Sequence, residues 1–240
     1  MGSERIHLFD TPLLVSRNMG LAVDQRAAKR VMDILISGIG IIITSPIMLI
    51  IATAVKAYDR GPVFYFQDRL TLGGKPFKIC KFRSMCVDSE KNGARLASKH
   101  DSRITPVGHV LRNLHLDELP QLFNVFKGDM SLVGPRPERE SIMLEYEKEL
   151  PEFYYRLKVK AGLTGYAQVY GKYNTTPYDK LKLDLFYIEN YSFLLDIKLI
   201  FMTVKIFFQK EVSEGVDDRQ VNALKDSGKN AGVSENKTEE

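Results

Sequence analysis

The longest apolar run in the chain covers the 22 positions from Ile34 to Val55, none of them charged. As a helix it is long enough to cross a hydrocarbon core of about 30 Å. Ser45-Pro46 interrupts it near the middle. Proline lacks an N–H and its ring clashes with the preceding turn, so a helix there must kink or break. Lys29 and Arg30 precede the run and Lys56 and Arg60 follow it, and cationic flanks mark the cytoplasmic side of a membrane. The residues alone leave two readings open. One is a re-entrant helix-break-helix, entering and leaving on one side; the other is a spanning helix with a tolerated proline kink.

Beyond this run the polar and apolar positions predict short elements. Val63–Gln67 and Phe77–Arg83 read as strands joined through Gly73-Gly74, a hairpin. Residues 88–102 are charged and aperiodic and predict a mobile loop. Leu119, Leu122, Phe123 and Phe126 recur at helical spacing and predict one buried helix face. Pro120 suits the first turn of that helix and Gly128 its end. Residues 140–158 read as a helix with solvated charges, and 162–171 as turns between short elements. Leu194 to Phe208, with Lys198 and Lys205, predicts a basic amphipathic helix that either lies on the bilayer or packs on the core. From Val212 the chain turns polar and predicts a disordered tail. Before the apolar run, Leu8 to Val15 predicts a short strand and Asp24-Gln25-Arg26 a helix start. Met1-Gly2-Ser3 reads as a tag remnant, so residues 1–28 are expected to be a leader or the remnant of an accessory domain. No internal repeat is visible.

Composition narrows the function classes. The chain has 240 residues, room for one main domain with accessories, and a net charge of +4 that suits anionic lipid or phosphate partners. Cys80 and Cys86 show no disulfide or zinc spacing. His7, His100, His109 and His115 form no metal-binding pair. No secretory signal precedes the apolar run. A glycine-rich phosphate loop and, in the folded region, an Asp-x-Asp pair are both missing, which disfavours a P-loop kinase and a metal-dependent glycosyltransferase.

Candidate chemistry gathers around Leu116-Asp117-Glu118-Leu119-Pro120-Gln121. A helix beginning near Asp117 and Glu118 would offer free backbone N–H groups to an anion. The two carboxylates are adjacent, so they point in different directions. One could attack phosphorus to form an acyl phosphate, with a divalent ion screening the like charges. Helix capping by acidic residues is the competing reading. Arg136, between Pro135 and Pro137, sits on a stiff backbone and is pre-organised to grip phosphate. Lys81 and Arg83 are two apart on a strand and predict two cations on one face.

Taken in order, these segments resemble the bacterial sugar transferases, the monotopic phosphoglycosyl transferases. The resemblance runs from about Lys29 to Lys210. It rests on the Ser45-Pro46 segment, Gly61-Pro62-Val63-Phe64, Lys75-Pro76-Phe77 and Lys81-Phe82-Arg83-Ser84-Met85. It continues through Leu116–Gln121, Ser131–Pro137 and Gly162-Leu163-Thr164-Gly165. It implies a helix-rich α/β (α+β) membrane-associated catalytic domain with a re-entrant helix at 29–60 broken at Ser45-Pro46. Surface amphipathic helices, a cytoplasmic catalytic domain at 61–211 and a tail at 212–240 complete the expected plan. It implies Asp117 as nucleophile with Mg²⁺ near its carboxylate, and Glu118 as acid/base or orienting partner. Pro135-Arg136-Pro137 would hold the nucleotide diphosphate, with Lys81 and Arg83 in support. The implied partners are a UDP-sugar, polyprenyl phosphate and membrane lipid at the cytoplasmic face of a bacterial plasma membrane. Nucleic acid is not among them, and larger members can form homodimers. Two departures stand out: Gln67-Asp68-Arg69-Leu70-Thr71 replaces the usual Gln-Glu-Arg-Val-Gly, and Lys160-Ala161 replaces Arg-Pro before Gly162. The second removes a rigid cation from a loop expected near the site. A membrane-anchored scaffold without catalysis is the alternative, and it predicts that Asp117 is dispensable.

Overall fold

The computed structural model describes residues 3–8, 11–16, 23–87, 89, 101–171 and 175–207. Strands β1 (Ser3–Leu8) and β2 (Thr11–Ser16) pair antiparallel, so the single strand expected from Leu8 to Val15 instead falls across two arms of a hairpin, Leu8 ending β1 and Thr11–Val15 lying in β2. Helix α1 (Val23–Asp59) follows, 37 residues long, starting at the Asp24 signal and running through Pro46 as one helical element. The absent Pro46 N–H would have met the Ile42 carbonyl one turn back. Ser45 Oγ donates to that carbonyl instead, at 2.8 Å. Thr44 and Thr53 likewise donate to the Gly40 and Leu49 carbonyls at 2.7 and 2.9 Å, keeping hydroxyl bonds inside an apolar helix. α1 is long and apolar enough to cross a membrane, and Ile39, Ile42, Ile43, Leu49 and Ile50 are left exposed.

The rest of the chain is a helix-rich α/β arrangement. β3 (Phe64–Leu70) and β4 (Pro76–Phe82) form the expected antiparallel hairpin, with Phe64 opposite Phe82 and Asp68 opposite Lys78. Gly73 and Gly74 turn it with φ of 69° and 75°, a region that side chains disfavour. Helix α2 (Pro106–Asn113) is capped by Thr105, whose Oγ1 accepts from the Gly108 N–H at 2.9 Å. A 3₁₀ turn at Leu116–Glu118 leads into α3 (Gln121–Lys127) and β5 (Ser131–Val133). Then come α4 (Glu140–Glu149), a 3₁₀ segment (Pro151–Lys158), β6 (Gly162–Thr164), α5 (Tyr166–Tyr170), α6 (Pro177–Glu189) and α7 (Phe193–Phe207). β5 and β6 pair in parallel at the centre, and Ser131, Leu132 and Val133 are all buried, as parallel pairs covered on both faces must be. Val125, Met130, Phe153, Leu181, Leu185 and Leu199 close the core around them.

Both ends of α1 are tied to this domain. Lys29 pairs with Asp196 at 2.5 Å, and Arg30 donates to the Val125 and Phe126 carbonyls at the end of α3 at 2.8 and 2.7 Å. Asp33 Oδ1 accepts from Ser131 Oγ and the Leu132 N–H, both at 3.0 Å. At the far end Arg83 donates to Asp59, and Met48, Ile51 and Val55 pack on Phe82 and Leu111.

Several expectations change. The buried residues of α3 are Gln121, Leu122, Asn124 and Val125, whereas Phe123 and Phe126 are 46% and 48% exposed. This helix has only seven residues and is covered from two sides. Asn124 turns inward because its amide bonds the β4 backbone at Cys80 N and Lys78 O, at 2.9 and 2.8 Å. The stretch 140–158 divides into α4 and the 3₁₀ segment, and 162–171 resolves into β6 and α5. α7 packs on the core through Asp196 and Leu199, which are buried, while Leu194 and Phe201 are exposed. The loop expected over 88–102 lies largely outside the described residues, and the tail beyond 212 wholly so.

Replacing Asp33 with alanine leaves two buried donors without an acceptor, which costs about 2–4 kcal/mol. Denaturant unfolding of the detergent-solubilised protein checks this, and an unchanged midpoint contradicts it.

Candidate active site

The Asp117 turn is built by an unusual backbone step. His115 takes φ 53°, ending α2 and redirecting the chain into the 3₁₀ turn. Within that turn the Glu118 N–H bonds the His115 carbonyl at 3.2 Å and the Leu119 N–H the Leu116 carbonyl at 3.3 Å. These donors are engaged, and α3 starts only at Gln121. The expected helix start near Asp117 is thus a 3₁₀ turn from Leu116 to Glu118, separate from α3.

Glu118 is the meeting point of three segments. Its Oε1 accepts from Lys81 Nζ of β4 at 2.7 Å and from Arg136 Nη2 at 2.7 Å, with Arg136 Nη1 at 3.5 Å from Oε2. Burial pushes its carboxyl pKa up, but Arg136 and Lys81 outweigh burial and hold it well below the ordinary carboxylate range. In turn, the Glu118 charge raises the Arg136 pKa further, so that guanidinium stays charged. Asp117 differs in every respect. It makes no hydrogen bond or ion pair with any described residue. Burial pushes its carboxyl up, opposed by Lys81 and reinforced by the neighbouring Glu118 charge.

Asp117, Glu118, Lys81 and Arg136 thus come together, with Pro135 and Pro137 flanking the arginine. Arg83 does not join them. β4 ends at Phe82, so strand alternation no longer applies, and Arg83 is buried against Asp59 at the foot of α1. Ser45 and Pro46 lie within α1. Lys160, standing where the resemblance expects arginine, bonds the Gly128 carbonyl at 2.9 Å and lines a groove on the other face of the hairpin. The substitution therefore removes no cation from the Glu118 cluster.

A second layer escaped the sequence reading. Arg156 Nη2 donates to the Arg136 carbonyl at 3.0 Å and Arg69 Nη1 to the Pro137 carbonyl at 3.2 Å. Arg156 is locked in turn by Asp184 at 2.6 Å, and Glu138 lies among Arg69, Arg156 and Lys180. These residues fix the backbone that aims Arg136. One signal was available: Asp184 shares a helical face with Leu181, Leu185 and Ile188, and a charge on an apolar face needs a partner.

Among the described residues no group of three or more His, Cys, Asp or Glu side chains could form a protein-only metal cage. A Mg²⁺ ion needs no such cage. It keeps several waters and is held by one or two carboxylates plus substrate phosphates. The Asp117 carboxylate, without a partner among the described residues and close to Lys81, fits that donor set.

Comparison with known proteins bears on this cluster. A family model described as bacterial sugar transferase matches residues 24–210. The chain is 46% identical over 180 residues to the UDP-N-acetylgalactosamine-undecaprenyl-phosphate N-acetylgalactosaminephosphotransferase of Aeromonas hydrophila, covering 74% of this chain and 43% of the relative. It is 44% identical over 204 residues to the UDP-glucose:undecaprenyl-phosphate glucose-1-phosphate transferase of Klebsiella pneumoniae, covering 83% and 42%. A Caulobacter vibrioides protein of that same description is 38% identical over 203 residues, covering 81% and 75%. The chain thus spans less than half the length of the first two relatives.

Truncating Arg156 to methionine strands the Asp184 charge and costs about 3–5 kcal/mol, whereas Arg156→Met combined with Asp184→Leu recovers much of that loss. A double-mutant cycle on unfolding free energies measures the coupling; additive losses would contradict the pairing.

Proposed function

Because this chain belongs to the bacterial sugar transferase family, we propose that it transfers a sugar-1-phosphate from a UDP-sugar to polyprenyl (undecaprenyl) phosphate with release of UMP. The observation that carries this reading is the division between two adjacent carboxylates. Glu118 is clamped by Lys81 and Arg136, while the Asp117 oxygens meet no donor among the described residues.

The reaction runs in two displacements. An Asp117 oxygen attacks the phosphorus that bears the sugar, the P–O bond to UMP breaks, and a phosphosugar–aspartyl intermediate forms. An oxygen of polyprenyl phosphate then attacks the same phosphorus. The P–O bond to Asp117 breaks, the carboxylate is restored and the lipid-linked product leaves. Arg136 and Lys81 bind the diphosphate and offset its charge as Asp117 approaches. Glu118, held ionised by both cations, orients them rather than donating a proton. Arg156 and Arg69 keep Arg136 aimed by holding the backbone on either side of its side chain. Mg²⁺, held by Asp117 and the substrate phosphates, would screen the like charges of nucleophile and donor.

The acceptor is a membrane lipid, and α1 supplies the anchor. A helix of 37 residues extends about 55 Å if straight. A spanning helix would carry one end across the bilayer, away from the domain. Here Lys29 and Asp33 near one end and Asp59 at the other all bind the same domain. That arrangement supports a re-entrant α1 bent at Ser45-Pro46, entering and leaving at the cytoplasmic face where UDP-sugars are found. A re-entrant α1 would keep polyprenyl phosphate and Asp117 on one side of the membrane. The Aeromonas and Klebsiella relatives are named for different sugars, so a panel of donors is the appropriate probe.

With Mg²⁺, polyprenyl phosphate and UDP-glucose, UDP-galactose and their N-acetylated counterparts, the native chain is expected to release UMP from at least one donor. Asp117→Asn loses more than about a thousandfold of that rate. No release from any donor, or full release by Asp117→Asn, overturns the assignment. The pH profile is a separate check. Asp117 must be ionised to attack and its pKa is raised. The rate therefore falls as pH drops through a value above the ordinary aspartate pKa of about 3.9. An acid limb at or below that value contradicts the role.

A further inference from the structure

The β3–β4 hairpin has two chemically distinct faces. Tyr65 opposite Lys81, and Arg69 opposite Phe77, belong to the face that carries Lys81 to Glu118 and Arg69 to the Pro137 carbonyl. The opposite face carries Phe64 beside Phe82, Phe66 beside Cys80 and Asp68 beside Lys78. With α3 it forms a groove of about 1160 Å³, also lined by Phe123, Lys75, Lys127 and Lys160.

This groove is graded along its length. Its aromatic end adjoins α1: Phe64 stacks on Phe82 with ring centroids 5.4 Å apart, and Phe82 packs on Met48, Ile51 and Val55. On the α3 side Phe126 lies against Gly38 of α1, one turn from Phe123. Phe64, Phe66 and Phe123 are 40%, 57% and 46% exposed, three large apolar rings open to one cavity. The other end is cationic. The Asp68–Lys78 rung lies four residues, or about 13 Å, further from α1 than the Phe64–Phe82 rung. Around it are Lys75, Lys78, Lys127 and Lys160 against Asp68 and Asp129. Asp129 is already paired with Lys127 at 3.5 Å, while the Lys75 and Lys78 ammonium groups meet no partner among the described residues.

We propose that this groove binds an anionic phospholipid of the bilayer around α1, with its acyl chain along Phe64, Phe66 and Phe123 and its phosphate at Lys78 and Lys127. The apolar end faces the uncharged part of α1 from Gly38 to Val55 and the cationic end its charged start at Arg30, which is the order of chain and headgroup in a lipid. The polyprenyl acceptor is not the occupant, because a phosphate held here lies behind the hairpin from Asp117 and Glu118. Such a lipid would fix the height of the catalytic domain against the membrane. The proposal rests on α1 lying in the bilayer and is independent of the transfer chemistry.

The chain contains no tryptophan, so Phe66→Trp places a single fluorescent reporter in the groove. The full chain carrying it is reconstituted into phosphatidylcholine vesicles doped with acyl-brominated phosphatidylglycerol or, at equal fraction, acyl-brominated phosphatidylcholine. Quenching is expected to be stronger with brominated phosphatidylglycerol. Adding Lys78→Glu and Lys127→Glu should weaken that preference about 30-fold, with thermal unfolding unchanged as the control for folding. Added polyprenyl phosphate should not relieve the quenching. Equal quenching by the two lipids, or a preference that survives both charge reversals, overturns the site. Relief by polyprenyl phosphate also overturns it, since it makes the groove an acceptor site. Failure of the native chain to associate with vesicles overturns the premise about α1 instead, and UMP release tests the transfer reaction separately.

Discussion

One carboxylate shared between two cations organises the candidate site. Glu118 joins Lys81 of β4 to Arg136 of the turn after β5, and it sits on the 3₁₀ turn after α2. Three segments distant in the chain are thereby held at one point. A half-buried charge is costly without partners, and two cations offset that cost. The consequence for Asp117 is indirect. With Lys81 and Arg136 turned toward Glu118, the adjacent Asp117 carboxylate has no donor among the described residues, and burial raises its proton affinity. A nucleophile needs both an available oxygen and incomplete stabilisation of its charge.

The cations themselves need support, because an arginine side chain is no more fixed than the backbone that carries it. Pro135 and Pro137 restrict that backbone torsionally. Arg156 and Arg69 then hold its carbonyls, and the Asp184 and Glu138 carboxylates hold those arginines. Orientation thus passes from the interior of α6 through two layers of hydrogen bonds to the atoms that would meet a diphosphate.

α1 and the hairpin connect this centre to the membrane. Arg83, one residue beyond the end of β4, grips Asp59, and Lys81 two residues earlier grips Glu118. The same strand therefore bears on the foot of the apolar helix and on the reaction centre. Its other face presents phenylalanines near α1 and lysines beyond them. The hairpin separates the Glu118 cluster on one side from a groove lined by phenylalanines and lysines on the other.

What the sequence determined by itself is what depends on neighbours in the chain. The apolar run, the hairpin turning at Gly73-Gly74 and the end of α3 at Gly128 follow from hydrophobic content and backbone freedom. Asp117, Glu118, Pro135, Arg136 and Pro137 were legible because their motifs are contiguous. The tertiary structure alone decided which face of α3 is buried, because a helix of seven residues takes its orientation from what covers it. It also decided that Arg83 serves α1 and that Lys160 lies behind the hairpin. The support of Arg136 by Arg156 and of Arg156 by Asp184 joins residues 20 and 28 positions apart. Charge pairing at such separations depends on where the backbone brings the groups: local pattern shows that Asp184 needs a partner, not which residue supplies it.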